Sequence, residues 1–144
     1  MKVMNKLGTP VVNILTFSFI MISGEAFGGP YAMYLLGALP HGINYSMLGM
    51  GGILCLLISQ IFFNGEKKHW MKPALQIMGI LLAILSLYIF FAQDRRQYNY
   101  ATFVQTVPLL TLFFFSISIL CGTVLAFMQL TDLKGKKPHS HSLL

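Results

Sequence analysis

Charge is scarce in this chain, and acid is scarcer. Its 144 residues include 10 Lys or Arg and only 4 Asp or Glu, so 10% are charged, against about a quarter in a soluble domain. The deficit is concentrated. Whole windows of about 20 residues carry no charge, the length that crosses roughly 30 Å of hydrocarbon as a helix. That pattern excludes an ordinary soluble fold and leaves no room for a separate soluble domain. Cysteine is equally sparse. Cys55 and Cys121 each sit inside an apolar run with no CxxC nearby, which argues against a thiol–disulfide oxidoreductase or a zinc site. Both read as small buried hydrophobes. No apolar run contains a histidine, so the inward-facing axial ligands of a membrane haem bundle are missing. His139 and His141 lie on a tail, two ligands short of the four a structural zinc takes. Ser59, Ser86, Ser116 and Ser118 lie in apolar runs with no His or Lys to activate a nucleophile. No cofactor and no metal is expected.

What the chain does have is four apolar runs, at about 9–25, 45–63, 73–92 and 105–128. They do not alternate in period two, as barrel strands would. Helices satisfy their own backbone polar groups in lipid, so the expected fold is all-α: an integral membrane bundle of four transmembrane helices in one domain, residues 1–131. Pro73 and Pro108 fall in the first turns of the third and fourth runs, where a missing N–H costs little. Residues 132–144 read as a disordered, basic cytoplasmic tail.

The positive charges alternate between loops. Lys2 and Lys6, then Lys67, Lys68 and Lys72, then Lys134, Lys136 and Lys137 fall on one side; only Arg95 and Arg96 fall on the other. The positive-inside rule then places both termini in the cytoplasm, in a bacterial inner (plasma) membrane or a comparable bilayer. The net charge of +6 belongs to these short clusters, which suit orientation and anionic headgroups and form no stripe for nucleic acid. Met1–Gly28 also fits a signal peptide, with a basic start, a short apolar run and small residues after it.

The loop after the first run contains Tyr31–Leu39, apolar but too short to span. A continuous helix from Thr9 to Leu39 would reach about 46 Å, so a break is expected at Gly28-Gly29-Pro30. The segment beyond it would lie in the outer interface, where Tyr31 and Tyr34 suit headgroup depth, or re-enter the bilayer.

Four residues are candidate functional polar groups. Glu25 is the only acid near an embedded segment, and such a group can carry protons or cations. His41, between Pro40 and Gly42, would share a proton with Glu25 if the loop folds back. Arg95 and Arg96 stand against the orientation rule and suit a phosphate or carboxylate. Four glycines are candidates for close helix packing: Gly24 and Gly28 at GxxxG spacing, and Gly49 and Gly52 in the second run.

The absence of a catalytic set favours a non-enzymatic role. The first expectation is a subunit or scaffold of a membrane complex, packing against another membrane protein or itself through the polar, glycine-bearing faces of the first two runs. A small-solute or ion carrier is the first alternative, with Asn13, Thr16, Ser18, Glu25, Gln76 and Ser86 as its polar lining. A lipid-acting membrane enzyme using Glu25, His41, Arg95 and Arg96 is the second.

Overall fold

In the computed structural model, residues 2–24, 28–62, 70–94 and 97–135 are described. Helices dominate: α1 (Lys2–Leu7), α2 (Pro10–Ser18), α3 (Tyr31–Ala38), α4 (Asn44–Phe62), α5 (Met71–Ala92) and α6 (Thr106–Gly135), with two short strands, β1 (Met21–Ser23) and β2 (Gly28–Pro30), between α2 and α3. Three helices are long and apolar enough to cross a membrane, through Asn44–Ile61, Met71–Ala92 and Thr106–Asp132.

The first apolar run is not a continuous helix, which corrects the expectation drawn from its hydropathy. Thr9 caps α2, its hydroxyl accepting from the Val12 amide at 3.4 Å, and Pro10 follows at the first helical position. The helix is only nine residues long and ends at Ser18. Thr16 Oγ1 bonds back to the Val12 and Asn13 carbonyls, a pattern that loosens a helix, and the chain turns extended. The break thus precedes β1, and Gly28-Gly29-Pro30 is a strand rather than the site of the break. β1 and β2 pair antiparallel, Met21 opposite Pro30 and Ser23 opposite Gly28.

Extended backbone among spanning helices needs partners for every amide. The Met21 amide donates to Thr111 Oγ1 (2.9 Å) and the Ser23 amide to Thr102 Oγ1 (2.8 Å), while the Tyr31 amide donates to the Ile20 carbonyl (2.7 Å). Two threonine hydroxyls therefore stand where a third strand would. Tyr31–Ala38 then forms α3, followed by a 3₁₀ turn at Leu39–His41 and by Gly42, whose φ of 64° gives the left-handed turn into α4.

The α4–α5 pair is antiparallel and its seam repeats every seven residues. Ser86 Oγ donates to the Tyr45 carbonyl (2.6 Å) at one end and Ser59 Oγ to the Lys72 carbonyl (3.0 Å) at the other. Midway, a Cβ on Gly52 would lie 2.9 Å from the Gly79 carbonyl oxygen. Tyr45, Gly52 and Ser59 thus face Ser86, Gly79 and Lys72 at heptad spacing, the period of a left-handed helix pair, with small residues letting the backbones approach.

The core gathers where the hairpin enters: Phe17, Ile20, Ile22, Tyr31, Leu35 and Phe90 are among its buried members. The Tyr31 ring meets Phe17 (centroids 5.3 Å) and Phe90 (5.2 Å) edge-on, a favourable arrangement for aromatic quadrupoles. α6 is different. Phe113, Phe114, Leu120 and Phe127 are each more than half exposed, so most of its circumference faces outward.

Candidate functional site

Three of the four polar candidates, Glu25, Arg95 and Arg96, lie outside the described residues, and so does any pairing of Glu25 with His41. His41 itself is exposed in the 3₁₀ turn. It borders an apolar hollow of about 380 Å³ with Met33, Tyr34, Ala38, Ile43 and Tyr45. The glycines divide. Gly28 belongs to β2, where an added Cβ would meet only the Ile22 carbonyl at 3.5 Å, and Gly24 follows β1, so the GxxxG pair lies on a hairpin and not on a helix face. Gly49 and Gly52 are buried in α4. A Cβ on Gly49 would come within 2.7 Å of both Leu35 Cδ2 and Ser86 Oγ, so these glycine faces are occupied by the chain's own α3 and α5.

Of the residues considered for a polar path, Asn13, Thr16, Gln76 and Ser86 make hydrogen bonds within the chain, and Glu25 lies outside the described residues. Thr16 bonds its own helix. Ser86 uses its proton on the Tyr45 carbonyl, so the Tyr31 hydroxyl, 2.9 Å away, donates to Ser86 Oγ. Burial raises the Tyr31 pKa above the usual phenol range, against the opposing effect of the Ser86 hydrogen bond, and keeps the hydroxyl a neutral donor.

A polar cluster that the sequence reading did not assemble lies at the opposite end of the α4–α5 seam from Tyr31. Gln76, fully buried in α5, donates through Nε2 to the Gly8 carbonyl (2.8 Å) and the Gly122 carbonyl (3.3 Å). It thereby ties the α1–α2 junction to α6. The approach is close: a Cβ on Gly8 would fall 2.8 Å from the Cys121 carbonyl oxygen. Deeper in, Asn13 Oδ1 lies 2.5 Å from Ser118 Oγ, and Ser118 Oγ lies 3.2 Å from the Leu7 carbonyl. With that amide orientation Asn13 Nδ2 is buried without a partner. The rotated amide lets Nδ2 donate to Ser118 Oγ and frees Ser118 to donate to Leu7, and hydrogen-bond inventory favours it.

Outward of Gln76 a cavity of about 310 Å³ opens, bordered by Asn5, Thr9, Gln60, Lys72, Gln76 and Gln129. Among the described residues its lining holds four carboxamides, a hydroxyl and one cation, and no acid. A sequence signal for it existed: Gln60 and Gln129 close their apolar runs and Lys72 and Gln76 open theirs, so in alternating helices all four point toward one end of the bundle. Among the described residues no three His, Cys, Asp or Glu side chains gather in a way that would hold a metal.

Compared with protein-family models, with curated proteins and with solved structures, the chain matches none.

Proposed function

We propose that this chain is a small polytopic membrane protein serving as a non-catalytic subunit or scaffold of a membrane complex. Its partners are the lipid bilayer and another membrane protein, or a second copy of itself. The supporting observation is where the interior hydrogen bonds go. Ser46, Ser59, Ser86 and Gln76 donate to backbone carbonyls, and Thr102 and Thr111 accept from backbone amides. These polar groups hold the chain's own irregular backbone, while the large apolar side chains of α6 are presented outward.

The same reading includes four crossings. Gly8 is tied to Gln76 at one end of α5, and Ser23 is tied to Thr102 just before α6 at the other. The nine helical residues of α2 span about 14 Å and the residues beyond the Phe19 turn add up to about 10 Å, most of a bilayer's hydrocarbon thickness. Residues 8–23 thus act as a broken crossing beside α4, α5 and α6. A fourth crossing and the lysine distribution together support a reading with both termini in the cytoplasm of a cell bounded by an inner (plasma) membrane. Non-helical backbone at such depth is tolerated where protein surrounds it, as it does here.

Native mass spectrometry of the chain purified gently from its own membrane tests this. The expected result is a stoichiometric second protein, or a defined homo-oligomer. A monomer carrying only lipid would overturn the reading and return attention to flux and lipid-turnover assays on variants of Glu25 and Arg95.

A further inference from the structure

The cavity outside Gln76 has a chemistry that the scaffold role does not use. Among the described residues its one formal charge is the cation of Lys72, and the amides of Asn5, Gln60 and Gln129 and the hydroxyl of Thr9 each include an N–H or O–H donor, while the amide protons of Gln76 are taken by the Gly8 and Gly122 carbonyls. The acid nearest along α6, Asp132, is exposed and does not line it. Two helices also begin at its wall, α2 just after Thr9 and α5 just before Lys72, and helix starts carry partial positive charge. At about 310 Å³ the space is at the lower end of small-ligand sites. Donors and a cation around a hollow with no acid among its described lining residues favour an oxyanion over a cation or an apolar guest.

We propose that this cavity binds a phosphate group, with Lys72 supplying charge and the carboxamides of Gln60 and Gln129 supplying hydrogen bonds. The phosphate has two possible sources, the headgroup of an anionic lipid from the adjacent leaflet and a free phosphate in solution. Gln76 is a positioning residue, since both amide protons are held by the Gly8 and Gly122 carbonyls.

The test uses the full chain in two arms. In one, inorganic phosphate is titrated into detergent-solubilised protein by calorimetry. In the other, the protein is reconstituted in phosphatidylcholine vesicles with and without phosphatidylglycerol, and retained lipid is counted by native mass spectrometry. Lys72→Gln is expected to weaken binding about tenfold or more, as loss of a charge-assisted contact does. Lys72→Arg should restore most of it, and Gln129→Leu should reduce it several-fold. Lys137→Gln, a charge on the tail, controls for general attraction to anionic lipid and should have no effect. Saturable binding in the first arm identifies a free phosphate ligand; binding in the second arm alone identifies a lipid headgroup. Absence of binding in both arms by wild-type protein with an intact melting transition would overturn the proposal. So would equal losses from Lys72→Gln and Lys137→Gln, or a Lys72→Gln variant that binds as wild type does.

Discussion

The Ser23 amide donates to the Thr102 hydroxyl at 2.8 Å, across 79 positions of sequence. With the matching bond from Met21 to Thr111, it covers the outer edge of β1 where the two-stranded hairpin sits among apolar helices. Both threonines act through the hydroxyl, so their role is separable from their shape.

Thr102→Val keeps the volume and removes the acceptor, leaving the Ser23 amide unpaired. A loss of about 1–3 kcal/mol is expected, read as a lower melting temperature in detergent. Thr102→Ser should melt close to wild type. A Thr102→Val protein as stable as wild type would show that the hairpin does not depend on this bond.

The α4–α5 seam separates two adjacent glycines. An added Cβ at Gly52 meets backbone, 2.9 Å from the Gly79 carbonyl oxygen and 3.1 Å from the Ala83 nitrogen; at Gly51 it meets only Leu82 Cδ1, at 3.8 Å. Gly52→Ala should destabilise by about 1–3 kcal/mol, because neither helix backbone can yield locally. Gly51→Ala should be neutral or stabilising, by up to about 1 kcal/mol from helix propensity. Thermal melts of the two variants that shift alike would contradict this seam.

Tyr31, Ser86 and the Tyr45 carbonyl form a relay of two hydrogen bonds. Tyr31→Phe removes the first and should cost about 1 kcal/mol. Ser86→Ala removes both. A double-mutant cycle should therefore show a coupling above about 0.5 kcal/mol; strict additivity would mean that the two side chains act independently.

Four crossings make a labelling prediction. In a chain with Cys55 and Cys121 replaced by alanine, Asn5→Cys and Asp132→Cys should react with an impermeant thiol reagent from one side of the membrane, and Gln97→Cys from the other. If Asn5→Cys were labelled from the same side as Gln97→Cys, residues 8–23 would not cross.

The seam shows how partial legibility arises. Gly49 and Gly52 are visible in the sequence as close-packing positions, because a missing side chain in an apolar run has few other uses. Their partner is not visible. Spacing alone did not tell a neighbouring molecule from the chain's own α3 and α5, and it did not pair Gly52 with Gly79 or Ser59 with Lys72. The seven-residue repeat linking them emerges once both helices are set side by side.

The membrane character and the approximate positions of the three long helices were determined by sequence, because transfer of apolar side chains into hydrocarbon sums over local composition and needs no knowledge of neighbours. α6, however, continues to Gly135, past the apolar run that ended near 128 and into the stretch read as tail. The fate of the first run was decided only by tertiary structure. Hydropathy counts side chains and is blind to backbone hydrogen bonds, so a helix and a strand of equal apolarity read alike. What permits Met21–Ser23 to be extended is the presence of Thr102 and Thr111, some 80 to 90 positions away. The polar cavity has the same origin. Asn5, Gln60, Lys72 and Gln129 are each unremarkable at the end of a membrane segment, and they become a site only where packing brings four chain segments to one end of the bundle.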